Sequence, residues 1–263
     1  MKKKFSLLMA VLMLAMLLAG CGGDQTVGGD GSQGGDSAPA DTSAPADSGS
    51  SDSSDNSGAS AVAEDTNTVA VGAVVIARDD VPEDDIYALT SAIFENIPTI
   101  TEQHAKGGEL DLDFASSVTS VPYHPGAAKY FAEKGKEVAS VKDGAGSGSS
   151  KSLTFGTGGE SGTYYAFGGV LSSYISNNTS VSVTAVTSGG SKANIEDLAA
   201  GDVQLGFVQS DVMSYAYNGE RLFDAKVENF SVVAALYMEQ VQIVTTNPDI
   251  KSVADLAGKS VSI

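Results

Sequence analysis

The second half of the chain alternates short apolar runs with segments whose apolar residues recur at helical spacing. Runs of strand length occupy 153–156, 181–187 and 205–208, and one or two longer strands occupy 230–246. Helical segments follow at 163–175, 191–200 and near 212–217, and a helical turn at 253–257 precedes residues 260–263. Strands and helices that alternate at this spacing build βαβ units. The sequence therefore predicts an α/β fold with a mostly parallel sheet.

The first block, 68–141, adds elements of the same kind. A continuous β-branched and small apolar run at 69–77 is typical of a strand that is buried on both faces. Pro82 and the acids that follow it predict a helix start, and the helical spacing continues until Pro98 kinks or ends the helix. Residues 126–134 have the pattern of a short amphipathic helix that a glycine closes.

A Gly/Ser-rich linker at 142–151 separates the two blocks. The chain therefore divides into a signal peptide (1–21), an acidic linker (22–67), the first block (68–141), the Gly/Ser linker (142–151) and the second block (152–263). A linker of about ten residues spans roughly 30 Å when it is extended. The about 195 residues from 68 onward are enough for one sizeable lobe or two small ones.

The N-terminus has the pattern of a lipoprotein signal peptide. Three lysines precede an apolar stretch at 5–18 that is too short to span a bilayer, and Leu-Ala-Gly-Cys follows at 18–21. Cys21 is the only cysteine, so it has no partner for an intramolecular disulfide. We expect Cys21 to be lipidated and to hold the protein outside the cytoplasm, on the outer face of the cytoplasmic membrane or in the periplasm. An ordinary signal peptide or a short membrane anchor that ends in cysteine is the alternative.

The segment 22–67 consists almost entirely of Gly, Ser, Ala, Asp and Pro and contains neither Lys nor Arg. Such a composition buries too little apolar surface to offset its conformational entropy, so we expect a disordered, self-repelling tether. It supplies half of the net charge of −18, through Asp24, Asp30, Asp36, Asp41, Asp47, Asp52, Asp55, Glu64 and Asp65. The rest of the chain is also acidic, which argues against a nucleic-acid partner.

Three strand-to-helix junctions place Gly, Ser or Thr where a helix begins. Free backbone N–H groups and the positive end of the helix dipole favour an anionic oxygen there. The carboxyl ends of parallel strands share one edge, so we expect the junctions to converge on a ligand carboxylate. The expected ligand-binding residues are Thr157, Gly158, Gly159, Ser161, Thr163 and Tyr164, then Ser188, Gly189 and Ser191, then Gln209, Ser210 and Asp211, and finally Tyr237, where a later strand leaves the sheet. The alternative is that Ser188, Ser191 and Asp211 only cap their own helices.

Several catalytic motifs are absent. Gly162 is followed by Thr163 rather than lysine, which excludes a P-loop, and Ser161 stands where a dinucleotide fingerprint needs its third glycine. No Gly-x-Ser-x-Gly nucleophile elbow is present. Of the two histidines, we expect His104 to be solvated and His124 to be packed or capping, and neither has an acid cluster for a metal site. We expect no enzyme, no metal and no cofactor, because a hydrolase that uses Ser161 and His124 has no supporting spacing.

Other aromatic and basic residues have less specific roles. Tyr165 and Phe167 either line the pocket beside Tyr164 or belong to the core. Arg78 and Arg221 are the only arginines, so a bidentate carboxylate clamp would need one of them. A solvated surface position is the alternative for each arginine.

The second block resembles a known family. LTFGTGGESGTYY (153–165), TSGGSKAN (187–194), FVQSD (207–211), VAALY (233–237) and SVADLAGK (252–259) together resemble the TAXI-type solute receptors of TRAP (tripartite ATP-independent periplasmic) transporters. The resemblance covers nearly all of this block. It implies a periplasmic-binding-protein-like (type II) lobe.

The first block resembles the closing helices of the same receptors, through VVIARDDVPE (74–83), AIFEN (92–96) and VPYHPGAAKY (121–130). In the family this segment follows the second lobe, whereas here it precedes the first strand. The resemblance therefore implies that both segments of lobe I are present in permuted order and that the second lobe is missing. A circular permutation that continues beyond Ile263, a one-lobed protein and a gene-model error are the alternatives.

The resemblance also implies a function. Such receptors capture a small anionic solute, a glutamate- or dicarboxylate-like organic acid or amino acid, and deliver it to TRAP membrane permease subunits. They close two lobes around the ligand, so we expect weak or no capture by a single lobe. The alternative is a sensing or interaction module that docks on a membrane sensor kinase without transport. A neighbouring gene for a permease or for a kinase would discriminate between these functions.

Overall fold

The structure is a computed structural model that describes residues 68–149 and 152–261. In chain order its elements are β1 (Ala70–Arg78), α1 (Glu83–Phe94), α2 (Ile97–Gln103), α3 (Leu112–Ala115), α4 (Pro125–Glu133), β2 (Ser152–Gly156), α5 (Thr163–Asn178), β3 (Ser182–Val186), α6 (Ser191–Ala200), β4 (Leu205–Gln209), α7 (Ser210–Asn218) and β5 (Phe230–Gln240). Short 3₁₀ turns occupy Ala105–Glu109 and Val253–Leu256. Across the described residues, no helix combines the length and apolarity that a membrane span requires. The predicted signal peptide, its cysteine and the acidic linker lie outside the described residues.

All five strands form one sheet in the order β3-β2-β4-β1-β5. β2 runs parallel to β3 and β4, whereas β1 pairs antiparallel with β4 on one side and β5 on the other. Four strands therefore run in one direction and β1 runs against them. The predicted α/β fold with a mostly parallel sheet is confirmed, and it is consistent with a periplasmic-binding-protein-like lobe.

β1 forms the middle of the core. Residues Ala73 to Ala77 are at most 3% exposed, because both edges of the strand are paired and both faces are covered. The prediction of a strand buried on both faces at 69–77 is confirmed for residues 72–77, whereas Val69 precedes the strand and is 71% exposed. Full burial of a Val or Ile side chain, as at Val74 and Ile76, contributes about 2 kcal/mol.

The helix after β1 begins as expected but ends earlier. Pro82 occupies the N-cap of α1 rather than its first turn, and three acids follow at the positive end of the dipole. α1 ends at Phe94, so the apolar residues at helical spacing from Ile86 to Ile100, which predicted one helix as far as Pro98, lie on two helices. The side-chain amide of Asn96 donates to the carbonyl oxygen of Ala92 at 3.0 Å where the chain turns. Pro98 lies in the first turn of α2, where its missing N–H is not needed.

The Gly/Ser linker packs on the corner between β1 and α1 as far as residue 149. The N–H of Gly146 donates to the carbonyl oxygen of Asp79 at 2.8 Å, and the N–H of Glu83 donates to that of Gly146 at 3.0 Å. Gly148 passes so close that a Cβ atom would lie 1.7 Å from the carbonyl oxygen of Asp80. Glycine is therefore required at position 148 by this contact.

The strand predicted at 230–246 is shorter than expected. β5 ends at Gln240, although the N–H of Val241 still donates to the carbonyl oxygen of Val69 at 2.9 Å. Val244 beyond it is 94% exposed. The β-branched sequence favours an extended chain, but a strand also needs a partner for its backbone groups, and the backbone bonds shown after Val241 are local turns. Residues 260 and 261 are not strand, and 262–263 lie outside the described residues.

His124 caps α4 from inside the core. Its side chain is fully buried, Nε2 lies 3.0 Å from the carbonyl oxygen of Val81, and Nδ1 accepts from the N–H of Gly126 at 3.3 Å. A carbonyl oxygen only accepts, so Nε2 carries the proton. Burial lowers the pKa of His124 to about 4, and the ring is neutral. The prediction of a packed or capping histidine is confirmed.

We expect the stability of the fold to decrease as the pH falls from 6.5 to about 4. The unfolded histidine binds a proton near pH 6.5, whereas folded His124 stays neutral down to about pH 4. Its contribution is complete above pH 6.5 and is lost below it, and the shift corresponds to about 3 kcal/mol. Urea unfolding at several pH values should show a weaker pH dependence for His124→Asn than for the natural chain. His104→Asn is the control, and equal effects of the two variants would contradict the assignment.

Candidate functional site

The carboxyl ends of the four parallel strands meet at one edge of the sheet. β3 and β4 lie on opposite sides of β2, so the chain reverses its direction of winding at the boundary between β2 and β4. Open α/β sheets bind ligands in the crevice at such a switch point. α5, α6 and α7 each begin just after a strand ends at this edge.

A cleft of about 350 Å³ lies at this edge. All three junctions between strand and helix contribute to its walls, as does the end of β5. The lining residues are Gly158, Gly159, Gly162, Thr163, Tyr164, Gly190, Ser191, Gln209 and Glu239. The structure thus brings six of the predicted residues together, with at least one from each junction.

Glu239 is the lining residue with a charge, and it was not predicted. Its Oε2 accepts from the hydroxyl of Tyr164 at 3.0 Å and from Nε2 of Gln209 at 3.2 Å. The carboxylate therefore connects β5 to α5 and to the end of β4. An acid near the carboxyl end of an otherwise apolar strand was the sequence signal that could have identified it.

The helices that open on the cleft begin without side-chain caps. Gly162, Gly190 and Gln209 precede α5, α6 and α7, and none of them makes a side-chain hydrogen bond to its helix. Gly190 has φ +89°, a conformation that favours glycine. The positive ends of the α5 and α6 dipoles are therefore available to an anionic oxygen in the cleft, whereas Asp211 already places a carboxylate in the first turn of α7.

The predicted serine hydroxyls hold the junctions together. Ser191 Oγ, on α6, accepts from the N–H of Gln209 at 3.0 Å, and Ser210 Oγ accepts from the N–H of Gly72 on β1 at 2.9 Å. Ser188 Oγ accepts from the N–H of a glycine two residues later at 3.1 Å. Ser188 and Ser191 do not cap α6, since this helix has no side-chain cap. The alternative interpretation is therefore ruled out for these two residues. Asp211 lies within the first turn of α7, which also has no side-chain cap.

Seven predicted residues lie outside the lining. Thr157 is fully buried, and its hydroxyl donates to the carbonyl oxygen of Val186 at 2.6 Å. Tyr237 is 2% exposed, its hydroxyl has no hydrogen-bond partner among the described residues, and the ammonium of Lys106 lies 4.4 Å from its ring centroid. The others are Ser161, Ser188, Gly189, Ser210 and Asp211.

Tyr164 forms the aromatic wall of the cleft. Its ring stacks on Phe207, with centroids 4.6 Å apart and 12° between the ring planes. Burial and then the charge of Glu239 raise the pKa of Tyr164 above its usual value, so the hydroxyl remains a donor. Phe167 is fully buried and belongs to the core instead.

Neither arginine lines the cleft. Arg78 ends β1 at the opposite edge of the sheet, because β1 runs against the other strands, and it pairs with Asp80. Arg221 lies 4.8 Å from the ring centroid of Tyr215. His104, expected to be solvated, is half-buried against an aromatic ring of α5. The described part of the chain shows no group of His, Cys, Asp and Glu side chains that would hold a metal ion.

Removal of the Tyr164 hydroxyl tests the link to Glu239. We expect Tyr164→Phe to lower the free energy of unfolding by about 1–2 kcal/mol, because a half-buried carboxylate loses a hydrogen bond. Tyr87→Phe is a matched control, since Tyr87 donates to Glu133 at an exposed position, and it should leave the urea midpoint unchanged. Equal midpoints for the two variants would contradict a structural role for the Glu239 contact.

A comparison with protein families shows to which family the chain belongs. Residues 56–135 and 155–263 match the NMT1-like family, and together they are well over half of the chain. This is a periplasmic solute-binding family, related to the binding proteins of ABC and TRAP transporters, whose members are typically non-enzymatic and extracytoplasmic. No solved structure matches the chain significantly. The chain therefore belongs to the NMT1-like family of solute-binding proteins.

Proposed function

We propose that this protein is a lipid-anchored solute-binding protein that captures a small organic acid or amino acid, glutamate- or dicarboxylate-like, for a TRAP-type secondary transporter. The observation that carries the proposal is the convergence of three uncapped helix N-termini on one cleft at the switch point of the sheet. Its partners are the solute, the permease subunits and, through Cys21, a membrane. Family membership and the TAXI-like motifs support the solute-binding part.

We further infer that the order of the segments is permuted relative to TAXI-type receptors. β1 comes from the first block, yet it lies between β4 and β5, which come from the second block. The two blocks therefore supply neighbouring strands of one sheet, as two segments of a single lobe would. In this proposal the described residues provide one wall of the ligand site.

Glu239 restricts which solutes fit the cleft. Its carboxylate repels a second ligand carboxylate placed against it and attracts an ammonium or amide N–H. The uncapped helix N-termini favour one carboxylate at the same time. Among the proposed solutes, those that combine a carboxylate with a hydrogen-bond donor, such as α-amino acids, therefore suit the cleft better than dicarboxylates.

Titration calorimetry of the purified protein tests this function. The probes are L-glutamate, L-glutamine, 2-oxoglutarate and succinate. We expect the amino acids to bind more tightly than 2-oxoglutarate, because the carboxylate of Glu239 repels a second ligand carboxylate. Glu239→Gln should reduce the preference for amino acids by about tenfold, since it removes the negative charge.

Glu196→Gln is the matched control, because Glu196 is an exposed carboxylate on the outer part of α6 that pairs with Lys192. It should leave all four affinities unchanged. A failure of all four probes to bind at millimolar concentration would contradict the proposed solute class, and an unchanged preference in Glu239→Gln would contradict the role of Glu239.

A further inference from the structure

β2 and β4 stop pairing just before the cleft. The last rung of their ladder joins Gly156 to Gly206, and the same register would next join Thr157 to Phe207. The side-chain amide of Asn194, from α6, replaces that rung. Its Nδ2 donates to the carbonyl oxygen of Thr157 at 2.8 Å and to that of Phe207 at 2.7 Å.

The two glycines of the last rung leave space for this amide. A Cβ atom on Gly156 would lie 2.6 Å from Oδ1 of Asn194, and one on Gly206 would lie 3.3 Å from its Cβ. Asn194 is fully buried, and its two hydrogen bonds fix the orientation of the amide. The facing glycines and the asparagine therefore form one packed unit between the strands.

This unit lies directly behind two walls of the cleft. Gly158 follows Thr157 in the chain, and Gln209 lies two residues after Phe207, and both line the cleft. Ser191, three residues before Asn194 on α6, accepts from the N–H of Gln209. Residues three apart share a helix face, so α6 holds the same junction at two points.

We propose that Asn194 is a wedge that separates the carboxyl ends of β2 and β4 and thereby sets the distance between the β2–α5 loop and the start of α7. It is a positioning residue, since it acts on the ligand only through the two strands. Without its amide, two buried carbonyl oxygens lose their donor and the loops lose their fixed spacing. The effect on ligand affinity rests on the proposed solute-binding function, whereas the effect on the strands does not.

A pair of coupled variants tests the packing. Gly156→Ala should decrease the equilibrium constant for folding by about tenfold or more, because its Cβ meets Oδ1 of Asn194. In an Asn194→Ala background, the decrease in the folding equilibrium constant caused by Gly156→Ala should be smaller by a factor of at least about three, because Oδ1 of Asn194 is gone. Gly169→Ala is the control, since nothing lies within 4 Å of a Cβ there. If Gly156→Ala lowered the folding equilibrium constant equally in both backgrounds, the proposal that Asn194 separates the two strands would be wrong.

Hydrogen exchange and ligand affinity test the positioning role. In Asn194→Ala, the amides of residues 157–162 and 207–211 should exchange about tenfold faster, while those of β3 change little. The affinity for L-glutamate should fall about fivefold or more, whereas Val183→Ala, a core variant in β3, should keep it. Uniformly faster exchange, or an unchanged affinity beside faster exchange, would overturn the proposal. If the natural chain does not bind glutamate, the proposed function fails for this probe. The hydrogen-exchange pattern and the coupled variants still test whether Asn194 separates the ends of β2 and β4.

Discussion

The pairing of β1 with β4 on one side and with β5 on the other joins the two blocks of the chain into one sheet. β1 belongs to the first block and both partners belong to the second. β1 contacts α6 and α7 as well as its two partner strands, and its register places Ala73 opposite both Gln209 and Tyr237. The end of β4 and the end of β5 are thereby brought to the same edge of the sheet. The contact between Gln209 and Glu239 across the cleft depends on this pairing.

The electrostatic potential in the cleft of this acidic protein depends on nearby groups rather than on the net charge. Half of the net charge of −18 comes from the segment 22–67, and charges more than about 8 Å away are largely screened at physiological salt. Within the cleft, the N-termini of α5 and α6 favour an anion, and the carboxylate of Glu239 favours a hydrogen-bond donor beside it. A site of mixed character results. In the proposed function, the ligand selectivity of the cleft comes from where these groups lie, which composition alone does not reveal.

Much of the fold follows from the spacing of apolar residues. α6 begins and ends at the predicted residues, and the strands around it differ by one or two residues, because the spacing reflects which side faces the core. The predicted end of β5 was wrong, because strand formation depends on a partner strand that the local sequence does not specify. The glycine- and serine-rich junctions indicated where the cleft would lie, since strand ends share an edge. Glu239 and Asn194 were missed as site residues, because their roles arise only when β5 and α6 are placed beside the other elements.

The position of β1 also has a consequence for folding. β1 is the first element of the described chain, yet its two partners, β4 and β5, are among the last. Pairing between such distant segments is slow, because a long loop must close before any contact stabilises it. Until then, an apolar strand with two unpaired edges is open to other chains, a situation that promotes aggregation. Successful folding therefore requires that β1 does not pair with other chains before β4 and β5 have been made and can pair with it.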